Sequence, residues 1–186
     1  MKKVAVASCA HFAWIESSRT MGENLAKAIQ YGAESHVHIP VDKNGLIACL
    51  SDADYFIMHT HGSAEGFFDQ RADNSQKVIS SLRTVKTFPS FPKLKLVIIT
   101  ACGAAGKQGK ENIAAVLSTK IASNGLVIAN RYEVFGADYD FGEKDGKHGW
   151  VGFQNGNLVL SENDFPSRIT MADGYAIYLN RINKWG

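Results

Sequence analysis

The stretch Leu94-Lys95-Leu96-Val97-Ile98-Ile99-Thr100 constrains this chain more than any other. It is rich in β-branched residues and apolar on both faces, so as a strand it has no side to offer to water. Strands of that kind lie at the centre of sheets covered on both faces, which are mostly parallel and need helical crossovers. The rest of the chain supplies them, because short apolar runs alternate with helical patterns.

Strands are predicted at Lys3–Cys9, Glu34–Ile39, Tyr55–Thr60, Leu94–Thr100 and Leu126–Asn130. A helix over Ser17–Tyr31 carries Met21, Leu25, Ala28 and Ile29 at helical spacing and stops at Gly32. A helical turn is predicted at Leu46–Leu50. Further helices are predicted at Asn74–Val85, stopped by Pro89 and Pro92, and at Lys110–Ser123, stopped by Asn124-Gly125. Residues 132–160 depart from this rhythm. They are rich in glycine and scattered aromatics, with Asp145-Gly146 and Asn155-Gly156 as hairpin turns, so Gly149–Phe153 and Asn157–Leu160 are expected to pair antiparallel. Pro166–Asn183 reads as a closing helix. The expected architecture is a single α/β domain over residues 1–186, three-layered, with helices on both faces of a mostly parallel sheet and a hairpin-rich extension at 132–160.

Composition limits the partners. With 20 Lys+Arg against 18 Asp+Glu the net charge is +2, and no basic face is interleaved with aromatics, so no nucleic-acid partner is expected. No run reaches the roughly 20 apolar residues of a membrane span, so no membrane partner is expected either. Lys2-Lys3 followed by Val4–Cys9 imitates a signal peptide and its cleavage box. The apolar run is short and meets His11 soon afterwards, so a first strand is the better reading. Three cysteines, Cys9, Cys49 and Cys102, form neither a disulfide framework nor a zinc pattern. An odd, sparse count suits a reducing, cytoplasmic setting and leaves room for one reactive thiol.

Catalytic groups in open α/β sheets gather at the carboxyl ends of strands. There the third predicted strand ends in His59-Thr60-His61-Gly62-Ser63 and the fourth in Thr100-Ala101-Cys102-Gly103-Ala104. If the two strands are neighbours, a thiol and an imidazole emerge on one edge. Such a pair raises the thiolate fraction and can return a proton to a leaving amine. The helix after Cys102 is expected to help stabilise a thiolate through its N-terminal end. The backbone N–H groups of Gly62 and Cys102 are candidates for an oxyanion hole.

An apolar strand ending in His-Gly, followed by an apolar strand ending in Ala-Cys, resembles the caspase-like (clan CD) cysteine peptidases. The blocks are Tyr55-Phe56-Ile57-Met58-His59-Thr60-His61-Gly62 and Leu96-Val97-Ile98-Ile99-Thr100-Ala101-Cys102-Gly103. That group places its histidine after strand three and its cysteine after strand four. The later Asn124-Gly125 and Leu126-Val127-Ile128-Ala129 resemble its bacterial CHAT and clostripain-like branch, and the likeness covers about Met1–Arg131. The resemblance implies a caspase-like sheet and a Cys102–His61 dyad acting on a peptide or protein substrate, with no cofactor and no metal. It departs at Thr100 and Gly103, where caspases carry Gln and Arg, so cleavage after Asp is not implied. Thr100, Arg131, Asp138 and Asp140 are the candidate substrate-binding residues, the two aspartates pointing to basic side chains before the cut.

Two other classes fit the same residues. One is a binding module that keeps the peptidase fold without catalysis. The other is a flavodoxin-like domain holding a metal or small anion, suggested by His36-Val37-His38 and His59-Thr60-His61. Gly103–Lys107, between a strand and a helix, does not meet the spacing of a phosphate-binding loop. The sequence leaves the oligomeric state open.

Overall fold

A computed structural model of the chain describes residues 1–29, 32–40, 42–70, 76–107, 109–132, 149–166 and 168–185. The chain runs β1 (Lys2–Ser8), α1 (Phe12–Ile29), β2 (Ala33–His38), α2 (Lys43–Asp52) and β3 (Tyr55–His59). Then come β4 (His61–Ser63), β5 (Gly66–Gln70), β6 (Gln76–Ser81), α3 (Leu82–Val85), β7 (Leu96–Ile99) and α4 (Ile113–Ser118). It continues through β8 (Leu126–Asn130), β9 (Trp150–Gln154), β10 (Asn157–Leu160), a 3₁₀ turn (Glu162–Asp164) and α5 (Met171–Trp185).

Seven strands form one mixed, mostly parallel sheet in the order β10-β9-β8-β7-β3-β1-β2. The five strands from β2 to β8 run parallel, and β9 and β10 each pair antiparallel with the preceding strand. The doubly apolar run is central, with Leu96–Ile99 in register with Tyr55–Met58 on one side and Leu126–Ala129 on the other. Its alternate residues feed two cores. Val4, Val6, Ile57, Ile98 and Ile128 pack with Met21 and Leu25 of α1 and Met171 and Tyr178 of α5. Phe56, Met58, Val97, Ile99 and Val127 pack with Leu46 and Leu50 of α2, Val85 of α3, and Ile113 and Leu117 of α4. Each central strand thus fills both cores, which its sequence demands. Among the described residues no helix is long and apolar enough to cross a membrane.

α1 starts five residues before the predicted Ser17 and α5 five after the predicted Pro166, and three further stretches differ more from expectation. The helix predicted over Asn74–Val85 is instead strand β6 followed by the single turn α3. Val78 and Ile79 favour a pleated surface, while Ser80 and Ser81 compete with helix hydrogen bonds; Ser81 caps α3 by accepting from the Thr84 N–H. β6 pairs with β5, and β5 with β4, forming a separate three-stranded antiparallel sheet. The predicted turn at Leu46–Leu50 extends to Lys43–Asp52, because Asp42 caps it through the Gly45 N–H at 2.9 Å. The helix predicted over Lys110–Ser123 shrinks to Ile113–Ser118, started by Asn112, whose side chain accepts from the Ala115 N–H.

Between β9 and β10, Asn155 and Gly156 both have positive φ (48° and 81°), the backbone of the turn that matches strand twist. Asp145-Gly146 lies outside the described residues.

Candidate active site

β3 and β7 are direct parallel neighbours, so the segments following them leave the sheet at the same edge. The two histidines after Met58 then take different roles. His59, the last residue of β3, is buried. Its Nδ1 lies 2.8 Å from the Thr100 hydroxyl, and its Nε2 lies 3.2 Å from that of Ser17 on α1. Thr100 already donates to the Met58 carbonyl, so it accepts from Nδ1–H, which leaves Nε2 to accept from Ser17. Burial, with the neighbouring His61 as a smaller contribution, lowers the His59 pKa to about 4, so its ring is neutral near pH 7. With both ring nitrogens engaged, His59 is a fixed part of the floor. Thr100, expected to meet substrate, is buried with its hydroxyl engaged by His59 and Met58.

His61 opens β4 and is half-buried. The backbone bends at Thr60, whose hydroxyl donates to the His61 carbonyl at 3.1 Å. The indole of Trp14, in the first turn of α1, packs on both imidazoles, with ring centroids 4.6 Å from His59 and 4.7 Å from His61.

The residues after His61 lie against those around Cys102. A Cβ on Gly62 would sit 2.5 Å from the Ala101 Cβ and 3.5 Å from the Cys102 carbonyl oxygen. A Cβ on Gly103 would sit 3.9 Å from the Ser63 Cα. The His61–Ser63 strand therefore touches the Ala101–Gly103 turn backbone to backbone, at a distance only glycine at 62 permits. The Cys102 turn is itself tied down. Gly103 N–H donates to the Tyr132 carbonyl at 2.8 Å and Ala105 N–H to that of Asn130 at 3.0 Å.

The Gly62 N–H also has a direction. The two-residue loop Ala64-Glu65 makes Ser63 and Gly66 the closing pair of the β4–β5 hairpin. Opposed residues alternate between hydrogen-bonded and non-hydrogen-bonded pairs, so Gly62, opposite Phe67, turns its N–H away from β5.

The expectation that the helix after Cys102 would support a thiolate is corrected. α4 is one and a half turns long, and its first N–H groups already donate within the protein. Ile113 donates to the Ala64 carbonyl, Ala114 to that of Ala104, and Ala115 to the Asn112 side chain. They stitch the site together rather than face the thiol.

Among the three cysteines, none in a disulfide, Cys9 and Cys49 are buried and Cys102 is half-buried. Cys9 lies 3.5 Å from the Phe68 carbonyl, to which its thiol donates, and burial pushes the Cys49 thiol up to about 11. Arg131 follows β8; its side chain is 13% exposed, with Nε 4.0 Å from a Glu162 carboxylate oxygen. With Lys107 and Leu158 it lines two adjoining clefts of about 420 and 550 Å³. Asp138 and Asp140 lie outside the described residues. His36 and His38 sit on β2, the strand at the far edge of the sheet, where His36 is 3.6 Å from Glu34.

The sequence did not single out Trp14 or Ser17. The only available signal was position, since α1 begins immediately beyond β1, a strand next to β3. No protein-family model and no curated protein matches this chain.

Proposed function

We propose that this chain is a cysteine endopeptidase of the caspase-like kind, working through Cys102 and His61. The observation that carries this reading is the contact between Gly62 and Ala101-Cys102, which sets the segment bearing the imidazole against the turn bearing the thiol. The order of the parallel strands supports it, because the histidine follows the third strand of the large sheet and the cysteine the fourth, as the resemblance requires.

In the proposed reaction the Cys102 Sγ attacks the scissile carbonyl carbon, and its proton passes to His61. The carbonyl oxygen becomes an oxyanion facing the N–H groups of Gly62 and Cys102, each such donor being worth about 3 kcal/mol. Collapse breaks the C–N bond, His61 protonates the departing amine, and a thioester remains. Water then attacks the thioester, gives a proton to His61, and releases the carboxylic acid with the thiol restored. No cofactor is called for. Three cysteines with no disulfide among them suit a cytoplasmic setting.

For specificity, Arg131 has the surroundings of a carboxylate contact: a largely buried guanidinium beside Lys107 in a cleft with apolar walls from Phe153 and Leu158. A preference for basic side chains would rest on Asp138 and Asp140. The test is a peptide library screened with wild type and Cys102→Ala, alongside iodoacetamide labelling. One hyper-reactive thiol, lost in Cys102→Ala together with all cleavage, is the expected result. Cleavage that survives Cys102→Ala would overturn the proposal.

A further inference from the structure

The contact of one indole with two imidazoles assigns a role to a residue outside the dyad. We infer that Trp14 is a positioning residue that holds the His61 ring and favours its protonated form, and so favours the thiolate–imidazolium state of the pair. This inference rests on the peptidase reading above.

Three observations carry it. The Trp14 and His61 ring centroids are 4.7 Å apart with the planes tilted by 52°, inside the range in which a ring face attracts a cation. The indole cannot easily leave, because it also packs at 4.6 Å on His59, which Thr100 and Ser17 hold at both nitrogens. His59 is also neutral, so the second imidazole on the same indole brings no competing charge. A neutral, immobile histidine supports an indole, and the indole supports the histidine that must change charge.

Other groups around His61 leave this task to Trp14. On β5 Asp69 is buried and accepts the Ala10 N–H at 2.9 Å. On α1 Glu16 is paired with Arg19, while beyond β1 His11 is exposed and Cys9 is turned to the Phe68 carbonyl. Glu65, in the β4–β5 turn, is exposed. Near the β4–β5 turn, on the segment leading into α4, Glu111 is paired with Lys86, and among the described residues Cys102 is the titratable group of the Ala101–Gly103 turn that touches β4.

The experiment uses the pH dependence of Cys102 alkylation by iodoacetamide, which needs no substrate. Removing a cation–ring attraction of ordinary size should move the midpoint of the rate profile upward by roughly 0.4–1 pH unit in Trp14→Leu. The rate at pH 6 then falls roughly 2- to 10-fold, while the high-pH plateau, where every thiol is ionised, stays put. Trp14→Phe should recover part of the shift. Uniform replacement of tryptophan by a ring-fluorinated analogue weakens the ring face without changing its shape, and carries the test if Trp14→Leu fails to fold. An unmoved midpoint in the fluorinated protein overturns the inference, as does a Trp14→Leu variant in which only the plateau changes. His61→Ala is the control. If it leaves the Cys102 profile unchanged, the dyad itself fails rather than the role of Trp14.

Discussion

Gly62→Ala is the sharpest perturbation the site offers, because the size of its effect can be worked from one contact. The new methyl would sit 2.5 Å from the Ala101 Cβ, whereas carbon atoms rest at about 3.5–4.0 Å. Roughly 1 Å or more must therefore be found by movement. Ala101 is fully buried against the core beneath α4 and cannot retreat, so β4 has to lift. His61 would rise with it. Overpacking of this kind costs about 1–3 kcal/mol of stability. A displacement of about 1 Å in a catalytic group costs on the order of 100-fold in rate. The expected result is thus a modest loss in urea unfolding with a disproportionate loss of kcat/KM, together with slower alkylation of Cys102 near pH 6. Ala101→Gly in the same chain removes the obstructing methyl. That double variant should recover at least tenfold in activity over Gly62→Ala, although Ala101→Gly alone costs about 1 kcal/mol in stability. If Gly62→Ala is fully active, or the double variant is no better than the single one, the two segments do not depend on this approach and the reasoning fails.

Four further outcomes are expected. His59 is held below its ordinary pKa, so on acidification the unfolded chain takes up a proton that the folded one refuses; stability should fall as pH drops from about 6.5 towards about 4, by about 3 kcal/mol in all. Urea midpoints across that window should show the loss in wild type and its absence in His59→Gln. His61→Ala should lower kcat/KM by roughly 100- to 10,000-fold with little change in stability. His59→Ala should cost far less turnover than His61→Ala, a few-fold through a loosened Trp14, but melt earlier, because Ser17 and Thr100 lose their partner. Arg131→Ala should depress cleavage of reporter peptides bearing Asp or Glu more than those bearing Arg or Leu; the reverse pattern, with losses in Asp138→Ala or Asp140→Ala, would assign specificity to the aspartates instead.

The parallel sheet was legible because its strands carry no compromise. Leu126–Asn130 is a strand to the residue, and Leu94–Thr100 contains β7, since a continuous β-branched run has one good place to go. The β4–β5–β6 sheet was not legible. Its strands are short, the hairpin at Ala64-Glu65 lacks the usual Asn-Gly or Asp-Gly signal, and Gln76–Ser81 carries only two apolar residues. The meeting of the two segments was legible by halves. That His61-Gly62 and Cys102 leave the sheet at one edge follows from strand ends, but nothing local separates the surroundings of His59 from those of His61. The separation comes from Thr100, on the segment after a different strand, and from α1, which approaches His59 through Ser17 and both rings through Trp14.

The small sheet accounts for how His61 can stand beyond the end of β3 without fraying. A histidine on β3 itself would be fixed but buried, as His59 is, and one on a simple loop would be accessible but loosely held. β4 avoids both. Phe67 and Ile79 of the small sheet are buried in the same core as α2 and α4. The small sheet is then fastened on several sides. Ala10 N–H donates to Asp69 of β5, Leu82 N–H of α3 donates to the Glu65 carbonyl, and Ile113 N–H of α4 donates to that of Ala64. Two of these fastenings join backbone to backbone and the third uses the Asp69 carboxylate, each reaching a different element, so His61 gains rigidity from α3, α4 and the end of β1 as well as from β3. Half-burial and fixed position, which pull against each other on a single strand, are reconciled by giving the imidazole a second sheet to stand on. The same construction leaves its ring face to Trp14.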